Sequence, residues 1–417
     1  MSKNLEPKGK ISSAFPLSPI TLLAFTLLPP FMALFISPSK FGRPLKSFGF
    51  NIREFLIVVL LVLAFFIGYR IAHRRSEINQ IDFSIRLKEQ RNVYKVIISY
   101  ARSTLLIGAI AHTVLFINGA LSVGLTRRSS GWLPTIPIVT TLCHVSILGF
   151  LLALVVKIKF PNEKNVSSLT IFVSLSLVIA RTILNNERLA LISLILPLIV
   201  YFLFNTQSSL RKRLFGALML VAPLSILFPA SEYFRSWDTN KRFTDLGFLQ
   251  YSLERFTNYY VTAQTNGSLY LNNYGQEFWF PIIILGPLVA FPFFGQILSK
   301  FATETYDWFT LLSFYNNSAE YNNINAFLVI AGDLGVMGAL PFLYILGMYF
   351  GKIYARAEAN ELTSQIIYAS LVLVLIELPR VYLLTAPRML PIYFVLFFLT
   401  RSLKRASDFK KSEMKLR

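Results

Sequence analysis

Ten apolar runs divide the chain, near residues 17–36, 52–70, 96–118, 133–156, 167–184, 188–205, 213–230, 325–351, 364–384 and 388–401. Crossing the roughly 30 Å of hydrocarbon in a bilayer takes about 20 helical residues, and several of these runs reach that length. The expected fold class is all-α: a polytopic integral membrane protein with about ten transmembrane helices. The composition agrees, with 54% hydrophobic, 15% aromatic and 15% charged residues and a mean hydropathy of +0.55. Soluble domains are far less apolar. The net charge of +20 would suggest nucleic acid in a soluble protein. Here the basic residues gather in short loops and in the tail, which is the pattern of topology signals and anionic headgroup contact. No nucleic-acid partner is expected. The single cysteine, Cys143, lies inside an apolar run, so no intrachain disulfide can form. Lys3, Lys8 and Lys10 precede the first run, and no small-residue cleavage site follows it, so it reads as an uncleaved span.

Lysine and arginine counts orient the spans. The loop 70–95 carries Arg70, Arg74, Arg75, Arg86, Lys88, Arg91 and Lys95. The turn after residue 205 carries Arg211, Lys212 and Arg213, and the tail carries Arg401, Lys404, Arg405, Lys410, Lys411, Lys415 and Arg417. All three fall on one side, which is therefore expected to be cytoplasmic, together with both termini. The loop 37–53, with Lys40, Arg43, Lys46 and Arg53, departs from this pattern: it is basic yet assigned outside. The chain thus divides into N-terminal helices (1–230), a large outer loop (231–324), C-terminal helices (325–401) and a basic tail (402–417). Inside the outer loop, residues 279–298 are long enough to span. Pro281, Pro287 and Pro292 would interrupt a helix there, so a re-entrant or interfacial segment is expected.

Charged residues within apolar surroundings mark the places where chemistry could lie. A charge at a bilayer centre costs roughly 2.5–3.5 kcal/mol on insertion scales. The stretch VIARTILNNERLALISLIL, residues 178–196, nevertheless carries Arg181, Glu187 and Arg188 around an Asn185–Asn186 turn. Planar, permanently charged guanidinium groups suit phosphate, and a phosphate at membrane depth belongs to a lipid. Snorkelling to the interface is the plainer role for Arg181. A second set, in residues 376–392, has Glu377 and Arg380 three apart on one helical face, where they can pair, and Arg388 after Pro387. These arginines are expected at one outer depth.

The loop opening ASEYFRSWDTNKRF interleaves Glu232, Asp238, Asp245 and Glu254 with Arg235, Arg242 and Arg255. Tyr259, Tyr260, Tyr270 and Tyr274 then alternate with Asn258, Asn266, Asn272 and Asn273. Aromatic faces beside amides suit a carbohydrate, while a headgroup-level aromatic belt is the plainer reading for any single tyrosine. Asp333 enters a late span among Gly332, Gly335 and Gly338. The glycine spacing suggests a close helix contact, and an intramembrane acid calls for a basic partner, expected to be arginine. The histidines are His73, His112 and His144, none in the large outer loop. No Walker sequence, G-x-S-x-G elbow or His/Cys metal cluster is present, so no metal and no cofactor are expected.

The order R…NNER, EYFRSW, GDLGVMGALPF…GMYFGKIYA and a basic tail resembles the oligosaccharide repeat-unit polymerases, the O-antigen polymerases of the Wzy type. The resemblance covers about residues 170–357. It implies transfer of an undecaprenyl-diphosphate-linked glycan onto a sugar hydroxyl of another lipid-linked repeat unit, at the outer face of a bacterial inner membrane. It also implies a lipid-diphosphate leaving group and no nucleotide sugar. On this resemblance Arg181, Arg188, Arg235, Arg380 and Arg388 would hold the diphosphate. Glu187, Glu232 and Asp333 are the candidate bases, and Tyr259, Tyr260, Asn273 and Tyr274 the candidate glycan contacts. A chain-length regulator protein and membrane lipid would be further partners. The rival readings are an O-antigen ligase, which by resemblance places a histidine in its large outer loop, and a glycan flippase or other transporter.

Overall fold

The computed structural model describes residues 17–40, 43–44, 49–78, 91–123, 136, 138–160, 166–185, 188–205, 218, 228–230, 232–273 and 323–415. Among these the chain is helical, apart from a two-residue antiparallel pairing of Ser39–Lys40 with Arg43–Pro44. The main helices are α1 (Pro19–Thr26), α2 (Leu28–Ala33), α3 (Ile52–Ile78), α4 (Arg91–Val123), α5 (Val139–Leu142) and α6 (Val145–Lys159). They are followed by α7 (Val166–Asn185), α8 (Arg188–Asn205), α9 (Phe248–Asn273), α10 (Ala326–Glu358), α11 (Leu362–Glu377) and α12 (Leu390–Lys415). Among the described residues four stretches are long and apolar enough to cross a membrane: Ile52–Ser76, Asn92–Leu121, Val139–Lys159 and Ala326–Glu358.

The apolar runs fall on these helices with local corrections. The run 17–36 is two helices, because Pro29 follows one residue after the start of α2 and the chain breaks at Leu27. The run 364–384 is helical only to Glu377; Pro379 cannot donate to the ladder, and a turn follows. The segments 213–230, apart from isolated positions, and 279–298 lie outside the described residues.

The axis of the bundle is a parallel contact of α3 with α10. Phe65 lies against Gly347 and Tyr69 against Gly351, while Gly68 lies against Tyr344. A Cβ at any of these three glycines would collide with the facing backbone carbonyl. One turn further, His73 Nε2 pairs with Glu358 Oε2 at 2.7 Å. The sequence reading placed a close helix contact at Gly332, Gly335 and Gly338, and of these Gly332 makes one. Gly335 has open space around its Cα and a φ of 67°, so it is the kink of α10. Gly338 faces only Leu334 of its own helix, and Gly332 meets the ring of Tyr270.

α4 and α6 run antiparallel, with Gly108 against Ser146 and Gly149 against Thr104. Tyr100 of α4 meets Ser402 of α12 across a 3.0 Å hydroxyl contact. At one end of the bundle Phe204, Tyr354, Tyr368 and Tyr69 pack ring to ring, with centroids 5.1–6.3 Å apart. At the other end lies α9. Its buried face is polar, with Ser252, Asn258, Gln264, Asn266 and Ser268 all buried. Three of these groups, Gln264, Asn266 and Ser268, satisfy the ends of other helices. Gln264 Nε2 donates to the Pro379 carbonyl at 2.6 Å, Asn266 Nδ2 to the Asn323 carbonyl at 2.8 Å and Ser268 Oγ to the Gly49 carbonyl at 3.3 Å. α9 therefore joins the start of α3, the start of α10 and the end of α11. Asn325 caps α10, accepting from the Phe327 and Leu328 amides at 2.8 and 3.3 Å.

Candidate functional site

The end of the bundle that carries α9 also collects most of the described buried ionic groups. α7 brings Arg181 into the interior, where its Nη1 donates to the Thr140 carbonyl at 3.5 Å. The chain enters α5 through Ile138 at φ 68°, a conformation that a β-branched residue adopts only under strain. His144 occupies the junction of α5 and α6 and is buried. Arg181, Arg388 and His112 all lie within electrostatic reach of it. His112 Nδ1 donates to the Gly108 carbonyl at 2.7 Å, one turn back on α4. Arg388 sits on the short 3₁₀ turn Pro387–Met389 that leads into α12. His144 and Arg388 line one cavity with Ile147, Leu148, Ser193 and Leu373, of about 30 Å³. That is room for about one water molecule, so a larger anion would need its walls to part.

A second group stands at the end of α11. Arg380 Nε meets Glu377 Oε2 at 2.6 Å, the pairing that the three-residue spacing predicted. Tyr259 and Tyr260 of α9 lie within electrostatic reach of Arg380. Tyr260 also lines a cavity of about 340 Å³ between α1, α2, α9 and α11. Tyr259 is buried, with its ring 6.3 Å from Phe228 and 6.0 Å below the Arg255 guanidinium.

The third group is a buried ion pair. Arg255 Nε lies 2.5 Å from Glu232 Oε2, with side chains 2% and 0% exposed. Ser236 Oγ donates to the same carboxylate oxygen at 2.5 Å, and Arg255 Nη1 to Tyr251 Oη at 3.4 Å. Glu232 opens a single π-helical turn, Tyr233–Trp237, and the ring of Trp237 packs 5.2 Å from that of Tyr251. The pair fixes this turn to α9. Further out, Lys241 hydrogen-bonds Asp238 at 2.5 Å and, with its charge, holds that exposed carboxyl below its ordinary range.

The fourth group centres on Asp333, two residues before the Gly335 kink. Tyr270 of α9 partners it, its hydroxyl donating to Asp333 Oδ1. A tyrosine stabilises a buried acid with one short hydrogen bond and buries no second charge. Tyr382, in the turn after α11, lies within electrostatic reach of Asp333.

Arg181 and Arg388 thus both lie within electrostatic reach of His144, and Arg380 within that of Tyr260. Glu232 is engaged by Arg255 and Asp333 by Tyr270. Glu187 and Tyr274 lie outside the described residues, as do the side chains of Arg188, Arg235 and Asn273. Sequence reasoning missed His144 and Gln264, the ion-pair role of Arg255 and the hydrogen bond of Tyr270 to Asp333. His144 gave a signal in being an ionisable residue inside an apolar run. Among the described residues no group of three or more His, Cys, Asp or Glu side chains is arranged to hold a metal ion. The fold and these clusters describe an all-helical protein with membrane-length apolar helices and buried ionic groups at one end. The chain matches no protein-family model, no curated protein and no solved structure.

Proposed function

We propose that this protein is a glycosyltransferase of the lipid-linked oligosaccharide polymerase kind, a multi-pass protein of a bacterial inner membrane working at its outer face. The observation that carries the reading is that buried Arg181 and half-buried Arg388, from opposite halves of the chain, both lie within electrostatic reach of the buried His144, whose cavity Arg388 lines. Buried guanidinium groups stay charged and are the side chains best shaped for a phosphate. The basic loops and tail support both termini lying in the cytoplasm, which turns the arginine end outward.

In this reaction the bond between the donor's anomeric carbon and the lipid diphosphate breaks, and a bond from the acceptor's hydroxyl oxygen to that carbon forms. Negative charge builds on the departing diphosphate, where Arg181 and Arg388 would offset it. The hydroxyl proton passes to a carboxylate. Glu232, already engaged by Arg255 and Ser236, serves better as a strut for the loop. Asp333, held by Tyr270, is the better candidate base. An O-antigen ligase would use the same donor, and His144 beside Arg388 is the observation on its side.

The test uses purified protein in nanodiscs with a lipid-linked repeat unit, and products are separated by size on a gel. Wild type should give a ladder. Folded Arg181→Ala and Arg388→Ala should each lower its rate by about 10²-fold or more, the range for a lost charge-stabilising donor. A single transfer to a non-repeat acceptor, without a ladder, would select the ligase. No transfer to any acceptor would remove both enzyme readings.

A further inference from the structure

We infer that the cavity between α1, α2, α9 and α11 is a binding site for the hydrocarbon tail of an anionic lipid, with the headgroup phosphate at Arg380. The cavity holds about 340 Å³ and is walled by Leu22, Phe25 and Met32 on one side and Phe256, Val261 and Ile376 on the other. The polar side chains on the wall are few. Thr26 gives its hydroxyl to the Leu23 carbonyl at 2.7 Å, so it offers the cavity its methyl group. A wall of this kind excludes a sugar or a nucleotide and accepts a chain of methylenes or isoprene units.

One end differs from the rest. Pro379 lines it, and Arg380 follows directly; Tyr260 lines it too and feels the charges of both Glu377 and Arg380. Arg380 spends its Nε on Glu377 at 2.6 Å, which fixes the plane of the guanidinium. A guanidinium carries further N–H donors, and a fixed fork presents them to phosphate at little entropic cost. An apolar slot with Tyr260 and Pro379 on its wall, and the oriented Arg380 next in the chain, matches a lipid with one charged end. Phe25 and Leu28, on either side of the helix break at Leu27, line the cavity and are exposed at the surface, which gives a chain a sideways entry from the bilayer.

The site stands on its own geometry. Only its assignment to a polyprenyl substrate rests on the reading above; a bilayer phospholipid has the same chemistry. Native mass spectrometry from detergent micelles separates these cases, with undecaprenyl phosphate, dioleoyl phosphatidic acid and dioleoyl phosphatidylcholine as probes. Thr257→Trp and Met32→Trp fill the slot from opposite walls, and gel filtration reports whether each is folded. The double variant Glu377→Gln/Arg380→Gln removes the headgroup contact without leaving a lone buried charge. Wild type should retain one anionic lipid per protein. Both filling variants should bind it at least tenfold more weakly, and the double variant should bind it no better than phosphatidylcholine. Preference for the polyprenyl phosphate over phosphatidic acid would name the substrate as the occupant; equal binding would support the site with bilayer lipid as its source. Folded filling variants that retain lipid as wild type does, or phosphatidylcholine bound as tightly as the anionic lipids, would overturn the inference. A ladder in nanodiscs alongside either overturning result would leave the polymerase reading standing without this site.

Discussion

Arg255 enters the sequence as one of several charges in a polar loop and ends as the largest of the fully buried side chains. Its burial is tolerable because Glu232 neutralises it and Tyr251 and Tyr259 offer their ring faces, at 5.6 and 6.0 Å. Arg255→Ala should therefore destabilise the protein by about 3–5 kcal/mol, because Glu232 would remain as an uncompensated buried charge. Glu232→Gln/Arg255→Met should recover most of that loss, and unfolding in detergent against denaturant measures both. The contrast with Glu377 and Arg380 shows what a sequence discloses at this scale. Three residues along one helix put their side chains on one face, so that pair was legible. The partners of Arg255 and Asp333 come from other elements, and only the fold shows that Glu232 and Tyr270 supply them.

At the scale of the element, the same distinction separates the glycines. The sequence pointed to Gly332, Gly335 and Gly338 for a close helix contact, because their spacing forms a stripe. A stripe records only that side chains are small; it says nothing of which face meets a neighbour. Gly332 meets the Tyr270 ring of α9, but the backbone contact lies nine residues and more beyond Gly338, where the carbonyls of Phe65 and Tyr69 would meet a Cβ on Gly347 or Gly351. Gly347→Ala should accordingly cost about 1–3 kcal/mol through overpacking. Gly338→Ala, which faces only a flexible leucine of its own helix, should cost less. Gly335→Ala should cost about 1–2 kcal/mol for a different reason: nothing crowds the site, but an L side chain is strained at φ 67°. Thermal unfolding of the three variants in one detergent gives the order. The described apolar runs, by contrast, were legible as helices because length and hydropathy act locally, whereas the bond from Gln264 of α9 to the Pro379 carbonyl joins distant segments and only the fold shows it.

For the whole molecule, the contacts fix which helix ends share a side, and this makes the orientation testable. His73 pairs with Glu358, so the ends of α3 and α10 lie together. Phe204 packs against Tyr354 and Tyr368, which adds the end of α8 and the start of α11. Tyr100 meets Ser402, and Tyr94 packs 5.5 Å from Phe160, which joins the first turns of α4, the end of α6 and the middle of α12. Basic residues crowd these ends, and by the charge rule they would face the cytoplasm in the proposed arrangement. Asp238 belongs to the opposite end, in the segment that the Glu232–Arg255 pair ties to α9. In a Cys143→Ala background, single cysteines at Arg75, Asp238 and Lys404 occupy exposed positions. In intact cells with a permeable outer envelope, a membrane-impermeant maleimide should label Asp238→Cys alone. Arg75→Cys and Lys404→Cys should label only after the inner membrane is opened. The reverse pattern would turn the arginine end towards the cytoplasm, where lipid-linked repeat units are made rather than joined. Equal labelling of all three in intact cells would mean that these ends do not lie on opposite sides of a bilayer, and would remove the transmembrane arrangement on which the proposed reaction depends.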